Sequence, residues 1–345
     1  MDLKHVLPIE INFALKHFKE RIKQIIPAVE ESSLASDFRA FFLDVPAYGN
    51  IGDQAIAFAM QTFIADILPD FKQIEITEDQ LPASIQWLKR EIRANDIICL
   101  TGGGNMGVLY QRYESVRRLV LKCFPSNPIV IFPQTFDYGS DSYATRELER
   151  AKRIYGAVTK LVLCARDEES YVKMKDCFPK AKVLFCPDIV LYLDYRNIFE
   201  KKGGVGICLR NDKERVLTDA QHEQIYKMYP EHTTLTTMDE TDLPITYKNR
   251  KIVVERKLRE FGENRLILTD RLHGTIFAFI TGTPCTAFPN TNGKVERVCR
   301  YLSENGDVLF TDSVETGISS ISGTIGTVKD RFEELANAVR GVAIS

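Results

Sequence analysis

No sign of charge prevails in this chain. Its 45 Lys plus Arg stand against 47 Asp plus Glu, a net charge of -2. That balance excludes the global positive field that would hold nucleic acid or an acidic membrane surface, so any anion site must be built locally. Long apolar runs are missing too. None approaches the roughly 20 residues of a membrane span, and the amino terminus mixes Lys4, His5, Glu10, Lys16, Lys19 and Glu20 with apolar residues where a signal peptide would have a continuous apolar core. A cytoplasmic protein is expected. Eight cysteines are present, but they form no Cys-x-x-Cys pair and have no nearby His to complete a zinc site. The thiols read as buried and reduced, and no metal is expected. Internal repeats and low-complexity tracts are also lacking.

What is present is a globular composition. Of 345 residues, 44% are hydrophobic and 27% charged, enough apolar matter to bury a core. At roughly 150 residues per domain, two domains are expected. Ile11, Leu15, Phe18, Ile22 and Ile25 recur at spacings of four and three, which predicts a leading amphipathic helix that ends near Pro27. Strand-like runs at 40–45, 74–77, 97–101, 129–132, 161–165 and 183–186 then alternate with amphipathic stretches. That rhythm predicts a parallel sheet with helices on both faces. It lapses over the polar segment 193–202, which runs into Gly203-Gly204, and resumes with runs at 205–209, 233–237, 266–269 and 285–288. The expected architecture is α/β, with two Rossmann-like domains, 1–195 and 196–345, facing a cleft. A terminal helix over 327–339 could dock on either one. Ligands of open α/β sheets sit beyond the carboxyl ends of the strands, which directs attention to the segments there.

The first is Tyr48-Gly49-Asn50-Ile51-Gly52-Asp53-Gln54-Ala55, after the first strand and before a helix that starts near Asp53. Its glycines permit tight turns and close ligand approach; Asp53 either caps the helix or offers a carboxylate to a substrate hydroxyl. The second is Thr101-Gly102-Gly103-Gly104-Asn105-Met106-Gly107. Gly102, Gly104 and Gly107 match the dinucleotide fingerprint literally. However, the segment follows the third strand rather than the first, and the next strand runs into Pro133-Gln134 where an acidic residue should grip a ribose. A loop that admits another ligand to the backbone is the better reading.

The third segment, Leu266 through Thr275, is a strand running directly into an apolar helix. Free amides at the helix start attract anions, Arg271 adds a bidentate donor, and His273, followed by the small Gly274, can donate a proton or a hydrogen bond. Arg210 ends the first strand of the second domain and would complete a doubly charged clamp for a dianion. A basic stretch, Lys248, Arg250, Lys251, Arg256, Lys257 and Arg259, reads first as a solvated helix face and otherwise as a contact for an anionic, lipid-linked substrate or the membrane surface that carries it.

Together these motifs resemble the polysaccharide pyruvyl transferase family. The likeness rests on Gly49-Asn50-Ile51-Gly52-Asp53, Thr101-Gly102-Gly103-Gly104-Asn105 and Asp270-Arg271-Leu272-His273-Gly274, with Phe132-Pro133-Gln134-Thr135, Ala165-Arg166-Asp167-Glu168-Glu169-Ser170 and Pro187-Asp188 in the same order as secondary signatures. It spans about 45–288. The resemblance implies a GT-B-like fold and transfer of the enolpyruvyl group of phosphoenolpyruvate onto two hydroxyls of a glycan, free or lipid-linked, as a cyclic ketal. It implies phosphoenolpyruvate as co-substrate, with no cofactor and no metal. Arg210, Arg271, Leu272 through its backbone, His273 and Gly274 fall at donor-binding positions, with His273 and Asp53 as catalytic candidates. Asn50, Gly52, Asp53, Gly102, Gly103, Gly104 and Asn105 are assigned to acceptor-side loops. The alternatives are a GT-B glycosyltransferase whose arginines hold the pyrophosphate of a nucleotide sugar, with Asp188 as a ribose ligand, and a non-catalytic glycan-binding protein.

Overall fold

A computed structural model describes residues 7–17, 26–27, 29–241, 243–291, 293–304, 308–314 and 328–344. The chain divides into two compact units: Met1–Ala47, Ile56–Ile189 and Arg331–Ser345 form the first, and Tyr48–Ala55 with Val190–Asp330 the second. The division falls between Ile189 and Val190 rather than between 195 and 196, the first glycine motif goes to the second unit, and the terminal helix, which the sequence left open to either, goes to the first.

The first unit holds β1 (Arg39–Val45), β2 (Lys72–Thr77), β3 (Ile97–Leu100), β4 (Gly103–Met106), β5 (Pro128–Phe136), β6 (Lys160–Ala165) and β7 (Lys182–Phe185). Their order is β2-β1-β3-β5-β6-β7, with β4 on β5, and every pairing is parallel. Strands buried on both faces must be apolar at every position rather than at alternate ones, and β1, β3 and β5 are buried throughout. Phe41, Leu43, Ile98, Leu100, Ile129, Ile131 and Leu163 form the middle of the core. The terminal helix Glu333–Ile344 packs on β5, β6 and β7 through an apolar stripe that buries Leu335, Ala336 and Val339.

The leading helix runs Ile9–Lys16 and turns Ile9 and Phe13 inward against the helix Gln111–Cys123. Ile11 and Leu15, expected on its buried stripe, are exposed, because the four-residue spacing that faces the core is that of Ile9 and Phe13. Phe18, Ile22 and Ile25 lie outside the described residues.

The second unit holds β8 (Val205–Cys208), β9 (Thr233–Thr234), β10 (Leu266–Thr269), β11 (Cys285–Ala287) and β12 (Val308–Phe310), ordered β12-β11-β10-β8-β9 and again wholly parallel. Both sheets have a topological switch point. In the first, successive strands depart in opposite directions from β1, to β2 on one side and β3 on the other; in the second, β8 is flanked by β9 and β10. Crevices beyond such points are where α/β sheets bind ligands. The loops after β1 and β3, and after β8 and β10, are the four segments singled out in the sequence.

Candidate active site

At the switch point of the second unit, Thr269 and Asp270 organise the two arginines. The Thr269 hydroxyl donates to the Cys208 carbonyl at 2.7 Å and accepts the Arg271 N–H at 3.0 Å, joining the end of β8 to the turn after β10. Gly274 is small for the same reason: a Cβ there would stand 2.4 Å from the Thr269 hydroxyl oxygen. Asp270 is buried and accepts the Arg210 N–H at 2.8 Å, while its second oxygen takes no hydrogen bond from the described residues. Burial pushes the Asp270 carboxyl up to about 6, against the pull of that N–H and of the Arg210 and Arg271 charges.

The guanidinium groups meet at Asp212. Arg210 Nε lies 3.0 Å from Asp212 Oδ1, with Nη2 2.9 Å from Glu214, and Arg271 Nη2 is 3.9 Å from Asp212 Oδ2. Burial would raise the Asp212 carboxyl, but the hydrogen bonds from Arg210 and the Glu214 amide and the charges of both arginines hold it below the ordinary value. Arg271 stands at the residue before the helix Leu272–Ile280 without capping it, so Leu272, His273 and Gly274 form its first turn, where amide hydrogens lack helical partners.

The Tyr48–Ala55 segment belongs to this same unit. Its backbone forms an antiparallel bridge between Asn50 and Met238; the Ile51 N–H donates to Thr237 O at 2.8 Å and the Asp239 N–H to Gly49 O at 2.6 Å. Thr237 also faces Arg271 Nη1 at 3.5 Å. The helix begins at Ile51, two residues earlier than expected, and its cap is Asn50, whose Oδ1 accepts the Gly52 N–H at 3.0 Å. Asp53 is therefore inside the first turn and is not the cap; its Oδ2 accepts the Tyr48 hydroxyl at 3.0 Å. Gln54, wholly buried, ties the Tyr48 carbonyl to Arg250. Gly52 faces the imidazole of His273, so the first and third motifs come together within one unit.

In the first unit, the triple-glycine segment is not a fingerprint turn into a helix. Gly103–Met106 becomes β4 on the flank of β5, and the next helix starts at Gln111, which removes the geometry a dinucleotide pyrophosphate needs. Gly102 lies against the backbone of Pro133, where a Cβ would approach the carbonyl to 2.9 Å. The secondary signatures interlock beside it. Arg166 donates to the Thr135 hydroxyl at 2.7 Å and to Asp188 at 3.1 Å, Thr135 donates to Asp167, and Asp167 caps the helix Glu168–Cys177 through the Ser170 N–H. Asp188 is thus buried in an ion pair, which weakens its reading as a ribose ligand.

The basic stretch is mixed, with Lys248, Lys251, Arg256 and Arg259 exposed. Arg250 and Lys257 are buried, on Gln54 and Glu260; Arg256 pairs with Asp239 at 2.6 Å, Lys251 lies 3.9 Å from Glu255, and Arg259 lies over the Phe199 ring. No helix among the described residues is long and apolar enough to cross a membrane. Sequence reasoning assigned no role to Thr269, Asp270, Thr237, Gln134 or Arg117. Thr269, Asp270 and Gln134 stand inside segments already singled out, whereas Thr237 and Arg117 act through contacts between distant elements.

The chain is similar to several known proteins. The chain matches the family described as polysaccharide pyruvyl transferase over residues 50–292. General stress protein 30 of Bacillus subtilis is 36% identical over 300 residues, covering 85% of this chain and 87% of that protein. Pyruvyl transferase 1 of Schizosaccharomyces pombe is 29% identical over 301 residues, covering 79% and 73%. Among solved structures, an uncharacterised protein of Klebsiella pneumoniae aligns with a TM-score of 0.53 at 19% identity, over 89% of this chain and all of that one, a likeness of fold alone.

Proposed function

The chain belongs to the polysaccharide pyruvyl transferase family, and from that premise we propose that this transferase moves the enolpyruvyl group of phosphoenolpyruvate onto two hydroxyls of a sugar, in a cytoplasmic setting, during synthesis of an exopolysaccharide, capsule or cell-wall glycan. The observation that carries the donor assignment is the convergence of Arg210 and Arg271 on one carboxylate, Asp212. Two guanidinium forks that can share a small carboxylate suit a ligand that has a carboxylate and a phosphate on one carbon. The amides of Leu272, His273 and Gly274 add donors for the phosphate oxygens.

In this reading His273 gives a proton to the methylene carbon of phosphoenolpyruvate, and the central carbon becomes an oxocarbenium-like electrophile. One sugar hydroxyl adds to that carbon and loses its proton, with Asp53 as the receiving carboxylate. The carbon–oxygen bond to phosphate breaks, phosphate departs with the bonding pair and takes up the proton held by Asp53, and the second hydroxyl adds to the oxocarbenium carbon and closes the ketal as its proton returns to His273. The arginine pair stabilises the negative charge that builds on the leaving phosphate. The glycan, free or lipid-linked, is assigned to the Thr101–Asn105 loop of the first unit.

A thermal-shift panel tests the donor. Phosphoenolpyruvate should raise the melting temperature in a concentration-dependent way while nucleotide sugars do not, since only a ligand of the native state adds stability by mass action. Stabilisation by a nucleotide sugar alone would favour glycosyl transfer instead. His273→Gln should lower turnover by about 100-fold with little loss of donor affinity; weakened donor binding at near-normal turnover would make His273 a phosphate ligand only.

A further inference from the structure

The Thr101–Asn105 loop is gripped by two buried polar side chains from different elements. Gln134 of β5 donates Nε2 to the Thr101 carbonyl at 2.6 Å and accepts the Asn105 N–H at 3.4 Å, so it holds both ends of the loop. Arg117, on the helix Gln111–Cys123, is only 4% exposed; it donates Nη1 to Glu114 Oε2 at 2.6 Å and Nη2 to the side-chain oxygen of Asn105. Glu114 is wholly buried and also accepts from Arg118, Tyr138 and Tyr155, so it anchors Arg117 in place.

A guanidinium has five donors and no acceptor. It can bond only the oxygen of the Asn105 amide, and this forces the amide nitrogen to the opposite side. There Nδ2 lies 3.8 Å from the point where a Cβ of residue 103 would stand, on the glycine side of the segment, with Ile56 Cδ1 3.9 Å from the same point. Asn105 itself is half-buried.

We propose that Arg117 is a positioning residue that turns the Asn105 amide so that its NH2 group is presented to the acceptor glycan, as a hydrogen-bond donor to a sugar oxygen. This rests on the pyruvyl transfer reading and names the first-unit residue pair that would orient the acceptor. The sequence shows only an asparagine after three glycines; which end of its amide faces outward is decided by the buried cation behind it.

Asn105→Asp separates this role from a structural one. A carboxylate at 105 still accepts from Arg117, now as an ion pair, but it has no hydrogen to give. With methyl glycosides of gluco, galacto and manno configuration as acceptor probes and phosphate release as readout, the variant should keep its melting temperature and its calorimetric affinity for phosphoenolpyruvate, while KM for the glycoside rises about tenfold, the effect of one lost hydrogen bond. An unchanged glycoside KM overturns the proposal, and so does a loss confined to phosphoenolpyruvate affinity. Arg117→Lys, also a donor-only cation, should retain the parent KM better than Arg117→Gln, whose amide can meet either end of Asn105; equal effects overturn the positioning role. If the parent releases no phosphate with any glycoside, the transfer reading fails separately. Saturation-transfer NMR then reads glycoside binding directly: weaker binding by Asn105→Asp upholds the inference, and equal or absent binding in the two proteins overturns it.

Discussion

The imidazole of His273 lies against the bare backbone of Gly52: a Cβ at position 52 would stand 2.2 Å from Nδ1 and 2.5 Å from Cγ. No side chain fits in that space, so a glycine of the first motif is required by a histidine of the third, more than two hundred residues away in the chain. Asn50 caps the helix at this point, and Thr237 holds both the Ile51 N–H and the Arg271 side chain. The first motif is thus built into the surroundings of the arginine pair.

Gly52→Ala should therefore act on His273 and not on the helix that contains residue 52. The added methyl forces the imidazole aside, and turnover should fall by about 10- to 100-fold, because displacement of a catalytic group by a fraction of an ångström is costly. Overpacking should cost about 1–3 kcal/mol of stability. Kinetics and urea unfolding on the same preparation check this, and normal turnover would mean that the ring position is unimportant.

Arg210→Ala and Arg271→Ala should each weaken phosphoenolpyruvate binding by about 2–3 kcal/mol, the scale of a charge-assisted hydrogen bond, with the fold retained. Arg271→Lys should recover little of the loss, since an ammonium cannot reproduce the planar fork. Titration calorimetry decides the matter; unchanged affinity in both Ala variants removes the donor site from this unit.

Asp53→Asn is a cleaner substitution than the sequence suggested. Asn50 provides the cap and Asn at 53 can still accept from the Tyr48 hydroxyl, so neither contact is lost. What disappears is the base. Turnover should drop by about 100-fold or more with donor affinity intact, and a variant that turns over normally leaves Asp53 as a partner of Tyr48 and nothing more.

Asp270 gives a pH signature. Its folded-state pKa of about 6 lies above the ordinary 3.8, so the native protein holds this proton more tightly than the unfolded chain does. The cost of the buried carboxylate is fully present above about pH 6 and fades as the pH falls toward 4. Relative to Asp270→Asn, the parent should gain up to about 3 kcal/mol on acidification from pH 7 to 4. Denaturant unfolding of the two proteins across that range measures it; a gap that does not change with pH would show that Asp270 ionises freely.

Of the twelve strands among the described residues, ten could be read from the sequence; the central parallel strands, covered on both faces, stand out as unbroken apolar runs such as Phe41-Phe42-Leu43 and Ile129-Val130-Ile131-Phe132. The motifs were legible for a related reason. Turns at strand ends that carry glycine, arginine and histidine have few structural explanations, so Arg210, Arg271 and His273 could be named before any coordinates. β4 and β12 were not legible: one is a glycine-rich segment that becomes a strand only because it lies along β5, and the other is three residues long.

The sequence by itself determined that the chain is α/β, where most of its strands lie, and which residues near their ends are candidates to hold an anion, since these follow from local periodicity and side-chain chemistry. Only the tertiary structure decided which motifs belong together. The Tyr48–Ala55 segment joins the second unit through backbone hydrogen bonds to Thr237 and Asp239, and every residue type carries the same backbone donors and acceptors, so no pattern of side chains announces them. Likewise Asp270 beneath the arginines and Arg117 behind Asn105 acquire their roles from burial and from partners on other elements. Those are properties of a folded neighbourhood, and the linear chain does not contain them.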